Sequence, residues 1–531
     1  MLTVSLRNKT KTALVAGLMA TSFMPAAAFA ESDVTLKSSD GSINLFGELV
    51  EFDDEFYVLK TGLGTLRISS ARVRCDGDAC PTFETADADV EISGSEAVGV
   101  GLMPLLMEGY AASVDAEPSI ASTSQQGQIV ANLVGDQGFG DDLGSYLVTA
   151  SNTSKGFEGL LKSEAHITMA SRRILPAEAR ALRQAGAGNM ISPNQEHIVA
   201  IDSIVVVTHP SNPVQSLTMQ QVSDIYAGDI TNWSQVGGPD LSIEVVGRDD
   251  QSDIRAVFNT RVRGDAAATQ ASNAVLAADH NEAAALVTER PGAIGYVGYA
   301  FLRGAKPISL VNECNIAMIP DSFSSKTEEY ALQRRMYLYN RADQGNELST
   351  ELLNYATSEA ADHIILKSGF IDLGIERRDQ SQDSERAQSL LERVYDSFEA
   401  KIVDEMLTEM TGYDRLSTTF RFRTGSSALD ERGQLDIKRL ANYLENSGDD
   451  TEILLVGFTD DVGAFSANHK LSIDRASQIV SELQSKAKDK LTNVKVRATG
   501  FGEISPAACN VSDQGRAINR RVEVWIKSND A

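Results

Sequence analysis

Over residues 94–375, short runs with β character alternate with helical runs. That alternation confines this stretch to an α/β architecture, because each strand must be covered by the helix that follows it. The run 201–208, Ile-Asp-Ser-Ile-Val-Val-Val-Thr, is its most strongly β-branched strand. A second α/β pattern occupies 416–527. Strands are expected there at 418–422 and 452–458, helices at 431–444 and 471–483, and a closing strand at 521–526, giving a small α/β sandwich. Residues 376–415 read as a charged helical connector, with Leu390, Leu391, Val394, Phe398 and Ile402 at roughly helical spacing. Residues 31–92 read as β-rich, with strands near 42–50, 55–59 and 62–68 curling into a small barrel or sheet. The chain of 531 residues is therefore expected to be multidomain α/β with a small N-terminal β module.

The first thirty residues are an address. Arg7, Lys9 and Lys11 are followed by an uncharged, mostly apolar run from Thr12 to Met24, and Ala28-Phe29-Ala30 offers a cleavage site. This is the pattern of a secretory signal peptide, and its apolar run is too short to span a bilayer. No Cys follows the apolar run, so no lipid anchor is expected, and no transmembrane segment is expected in the mature chain. The formal net charge is −26, with the acidic excess confined to 31–415, while 416–531 balances acid against base. Such acidity argues against a nucleic-acid partner, whose phosphates need clustered Lys and Arg. Cys75 and Cys80 flank a short polar turn that a disulfide closes in an oxidising compartment. Cys314 and Cys509 are far apart, and their pairing stays open. The six histidines form no metal-binding spacing, no nucleophile elbow or phosphate-cradling Lys loop occurs, and no metal, cofactor or catalytic residue is expected.

The densest motif set lies near the C-terminus: 457–463 (Gly-Phe-Thr-Asp-Asp-Val-Gly), Asn468, 471–476, 500–503 and 515–523. Asp460 stands where a buried strand enters a turn. Asn468 and Arg475, seven residues apart, share one face of a continuous helix. A carboxylate facing a guanidinium across a small gap can hold a zwitterion; spacing alone also allows a plain Asp460–Arg475 surface salt bridge. These blocks resemble the OmpA-like peptidoglycan-binding domain over about 416–527. The resemblance implies that Asp460 and Arg475 grip the free amino-acid end of diaminopimelate in the stem peptide, that Asn468 makes a further ligand contact, and that Thr459 and Leu471 fit the pattern. It gives the 519–521 block chiefly a role in supporting the fold. Gly425 departs from it, standing where some members carry a polar contact residue.

Other blocks resemble the PstS-like periplasmic phosphate-binding proteins, of the type II periplasmic binding fold: 98–104, 155–161, 166–172, 229–233, 248–252 and 291–296. The resemblance implies two α/β lobes closing on a ligand, with Ser95, Thr153, Ser154, Arg248 and Ser252 lining an anion site. Arg172 stands where such proteins often place an acid, and it joins the expected anion set. Asp253 and Ile254 replace the usual Gly and Thr, and a carboxylate beside a phosphate dianion is repulsive. The middle domain is thus expected to take phosphate or another small anion, or else to survive as a scaffold.

Together these readings describe a non-enzymatic periplasmic protein, peptidoglycan-associated and with a link to the outer membrane in view, that binds the wall and presents a solute- or anion-binding domain. Two alternatives stay open: an oxyanion receptor feeding an importer, and a structural or adhesive envelope protein.

Overall fold

The computed structural model describes residues 33–37, 44–52, 56–62, 64–70, 73–77, 79–80, 88–123, 125, 127–379, 390–391, 396–422, 425–426, 429, 431–447, 451–487, 491 and 494–527. The signal peptide expected over 1–30 lies outside them.

The N-terminal module is a five-stranded antiparallel sheet. Its strand order runs Gly64–Ser69, Phe56–Thr61, Asn44–Phe52, Asp33–Lys37, Arg74–Asp76. Alternate residues Val34, Leu36, Tyr57 and Leu59 build a small core with Val73, as the two-residue period of a half-buried strand requires. Five short strands bury little apolar area, and the Cys75–Cys80 disulfide staples the last of them as expected.

The middle domain has two lobes that share one continuous sheet. The strand Glu196–Thr208 pairs with Gln333–Asn340 on one side and Ala293–Gly298 on the other, so these strands run from lobe to lobe. A buried ion pair pins that seam: Arg334 donates Nη2 to Asp202 at 2.8 Å, and Asp202 also accepts the Tyr299 N–H at 2.7 Å. In the first lobe, Val90–Ser95 lies parallel to both Asp142–Ser151 and Ile167–Ala170. Parallel strands need covering helices, and helices therefore begin just beyond their carboxyl ends, at Glu96–Gly101 and Thr153–Lys162. In the second lobe, Glu244–Arg248 is followed in the same way by Asp253–Phe258. Three helix N-termini thus face the space between the lobes.

The C-terminal domain is a mixed sheet, ordered Arg377–Arg378, Tyr413–Arg421, Arg521–Lys527, Glu452–Phe458, Lys495–Gly500. The helices Glu431–Glu445 and Phe465–Ala487 cover one face. The second helix lies almost on the backbone of the strands, because a Cβ at Gly457 would stand 1.9 Å from the Ser472 carbonyl oxygen. The connector helix Ser397–Met410 covers the other face through Ile402, Val403, Met406 and Met410.

Middle and C-terminal domains are joined closely. Cys314 and Cys509, whose pairing the sequence leaves open, form a disulfide between them. Arg378 pairs with Asp321 at 2.8 Å, Arg421 with Glu328 at 3.1 Å, and buried Arg415 with Glu329 and Glu523.

Candidate functional site

In the C-terminal domain, Asp460 follows the last residues of Glu452–Phe458, where a buried strand releases the chain into a turn. Asn468 and Arg475 are both buried on the helix Phe465–Ala487, on one face as their spacing requires. The Asn468 side-chain amide donates to the Asp460 carbonyl at 3.2 Å and so fixes the turn. Thr459 is buried beside it and donates its N–H to Gly502 at 2.9 Å. Arg475 donates Nε to the Ser426 carbonyl at 3.0 Å and stacks over the Phe422 ring at 5.1 Å. Burial pushes the Arg475 guanidinium down to about 10, although Asp460 pulls it upward. Gly425, whose φ is 67°, provides the left-handed turn that aims the Ser426 carbonyl at Arg475.

The expected two-residue face is modified in one respect. The ion-pair partner of Asp460 is Arg520, whose Nη1 lies 2.7 Å from Oδ2, and not Arg475. Arg520 is anchored in turn by its Nε, which donates to the Phe422 carbonyl at 3.1 Å. Arg520 belongs to the 519–521 block expected chiefly to support the fold, and it also pairs with Asp460. Arg475, on the helix, feels the Asp460 carboxylate through its charge, and Arg520, just before the closing strand, pairs with it directly. Glu503 completes the surroundings, with burial pushing its carboxyl up while a hydrogen bond from Asn468 opposes the rise. The result is a partly buried acid set among two fixed guanidinium groups, suited to a ligand carrying both an ammonium and a carboxylate.

In the middle domain, four of the six residues expected to bind an anion, Thr153, Ser154, Arg172 and Arg248, have side chains engaged by neighbouring groups of the protein. Arg172 makes a bidentate pair with Glu178 at 2.7 and 2.9 Å and donates to the Ser154 hydroxyl at 3.1 Å. A carboxylate six residues on thus takes both terminal guanidinium nitrogens of the residue expected to join the anion set. Arg248, deeply buried, donates Nη2 to Glu96 at 3.1 Å and to the Ala278 carbonyl at 2.9 Å. Burial pushes the Glu96 carboxyl up, Arg248 opposes this, and Asp279 and Asp253 add to it. Ser95 is buried at the start of Glu96–Gly101, and Ser252 is half-buried at the start of Asp253–Phe258.

Asp253 holds the position that sequence reasoning treated only as a source of repulsion. Its Oδ2 accepts the Thr153 N–H at 2.8 Å, the Thr153 hydroxyl at 2.6 Å and the Ser171 hydroxyl at 3.2 Å. Beyond Ser171 lies a cavity of about 630 Å³ whose lining includes Arg173, Arg261 and Arg335 from the middle domain and Leu429 and Leu435 from the C-terminal domain. Among the described residues, no group of His, Cys, Asp and Glu could hold a metal ion, and no helix is long and apolar enough to cross a membrane.

The fold and its two sites define a two-lobed binding domain fused to a small α/β sandwich. Residues 84–360, about half the chain, match the model of the PBP superfamily domain, and residues 421–520 match that of the OmpA family. The chain belongs to the PBP superfamily and carries an OmpA-family domain behind its binding domain. Among curated proteins it is 22% identical over 237 residues to the phosphate-binding protein PstS of Borreliella burgdorferi, covering 42% of this chain and 78% of that protein. It is 34% identical over 120 residues to outer membrane porin F of Pseudomonas aeruginosa, covering 22% of this chain and 32% of that protein. Among solved structures, an ABC-type phosphate transport receptor from Vibrio cholerae aligns at 25% identity with a TM-score of 0.39, covering 53% of this chain and 99% of the other.

Proposed function

We propose that this is an exported, non-enzymatic protein of the bacterial periplasm that grips peptidoglycan non-covalently through its C-terminal domain. It would hold a two-lobed, anion-type binding domain beside the wall. The observation that carries this reading is the Asp460 carboxylate set among Arg520 and Arg475. Asp460 takes the ammonium and Arg475 forks the carboxylate at the free end of a diaminopimelate stem residue, with Asn468 and Thr459 shaping the turn between them. The match to the OmpA family over 421–520 supports the same assignment. Pelleting with purified sacculi tests it. The wild-type protein should sediment with the wall, Asp460→Ala and Arg475→Ala should stay in the supernatant, and unchanged pelleting of folded variants overturns the reading.

A second reading, an oxyanion receptor for an importer, draws on the likeness to PstS. It requires free anion to reach Thr153 and Arg248, which calorimetry with phosphate measures directly.

A further inference from the structure

The donors that Asp253 engages form a set of a particular kind. The Thr153 N–H belongs to the first turn of a ten-residue helix, where backbone N–H groups lack partners within the helix and the helix dipole favours negative charge. The Thr153 and Ser171 hydroxyls point at the same oxygen. Three donors converging on one carboxylate oxygen make a nest for an oxyanion, and here the oxyanion is the protein's own. A second observation concerns buried Arg248, which pairs with Glu96 across the lobes: its Nε and Nη1 have no hydrogen-bond partner among the described residues. A buried guanidinium with two unused donors is costly unless it faces an acceptor.

The placement of Asp253 also matters. It opens the helix Asp253–Phe258 of the second lobe, whereas Thr153 and Ser171 belong to the first. One side chain therefore reaches across the cleft and joins the lobes with no external ligand. A tethered group competes as though present at millimolar concentration or higher, without the entropy loss that a free ion suffers. Its negative charge further opposes a second anion at the same donors.

We propose that Asp253 is a built-in occupant of the anion nest, one that excludes free inorganic oxyanions and holds the two lobes together in their absence. The middle domain is then a two-lobed body with a self-filled cleft rather than a phosphate receptor. The inference rests on the reading of the middle domain as an anion-type cleft and is independent of wall binding.

The test is calorimetry on the full chain with inorganic phosphate and, separately, with sulfate. Wild type should give no binding heat. Asp253→Gly and Asp253→Ala should bind at least one of the two anions, with affinity at least ~100-fold above any residual wild-type value. Adding Thr153→Val to Asp253→Gly should remove that binding. Tight phosphate or sulfate binding by wild type overturns the proposal, as does absence of binding by variants whose circular dichroism is native. If those variants fail to fold, hydrogen exchange on wild type decides: a protected Thr153 amide without ligand is expected, and exchange at the rate of an open helix end overturns the proposal. Sacculus pelleting of the folded Asp253 variants should equal wild type, so a failure of the nest and a failure of the wall site give different results.

Discussion

Asp460 and Arg520 lie 60 positions apart in the chain, yet their side chains meet at 2.7 Å. Asp460 follows Glu452–Phe458 by two residues and Arg520 precedes Arg521–Lys527 by one, and the antiparallel pairing of Phe458 with Arg521 brings them together. Arg520 holds the carboxylate in place and offsets its charge.

Removing Arg520 should therefore weaken the grip on the wall as well as the fold. Arg520→Ala is expected to lower sacculus affinity at least ten-fold, in line with about 1.5–3 kcal/mol for a lost hydrogen bond to a charged group. Arg520→Lys should recover part of it. Equal binding by wild type and both variants, measured by pelleting at graded sacculus concentrations, would return Arg520 to a purely structural role.

Gly457 is a packing prediction. Its Cβ would meet the Ser472 carbonyl, so Gly457→Ala must push the helix carrying Asn468 and Arg475 off the sheet. A loss of about 1–3 kcal/mol in unfolding free energy is expected. Wall binding should fall with it, because the helix and the strand each supply part of the site. Urea titration and pelleting read the two effects separately.

Asp362 gives a pH signature. Burial, with Asp372 nearby, pushes its carboxyl up to about 6 from an ordinary value near 3.8. A raised carboxyl binds its proton more tightly in the folded state. Stability should therefore fall as pH rises from about 4 to 6, with the full penalty present above pH 6 and none below pH 4. Asp362→Asn should raise unfolding free energy by about 1–3 kcal/mol at pH 8 and leave it unchanged at pH 3. Denaturant unfolding at the two pH values checks this, and an equal gain at both counts against it.

The disulfides should differ in what they stabilise. Cys314–Cys509 closes 195 positions and joins two domains, while Cys75–Cys80 closes a turn of 5 within one small sheet. Cys314→Ser is expected to cost about 2–4 kcal/mol and to separate one unfolding transition into two. Cys75→Ser should affect only the N-terminal module. Calorimetric scans of both variants distinguish these outcomes.

What could be read from sequence follows the range of the interactions. Asn468 and Arg475 were legible because a helix makes seven residues a fixed spacing, and Asp460 because a strand end has a recognisable pattern. The N-terminal strands fell within a few residues of their expected places, since alternation is local. The partners that carry the chemistry were not local. Nothing near Asp460 indicates Arg520, and nothing near Cys314 indicates Cys509. Arg172 looked available because Glu178 comes near it only once the following helix folds back. Asp253 was legible as a change of charge, but its sign pointed to repulsion; only the fold places it on the Thr153 and Ser171 donors.

The link between Cys314 and Cys509 has a mechanical meaning. A domain hung from the wall by a single peptide strand could swivel and sweep out a sphere about its attachment point. Here the backbone and the disulfide make two separate covalent attachments, braced by the arginine–carboxylate contacts of Arg378, Arg415 and Arg421. Two anchors resist torque that one cannot. On the proposed seating of the C-terminal domain on a stem peptide, the middle domain would be held at a set bearing to the glycan strand. A pull on either lobe is carried into the C-terminal domain as load on a bracket, not as slack in a tether.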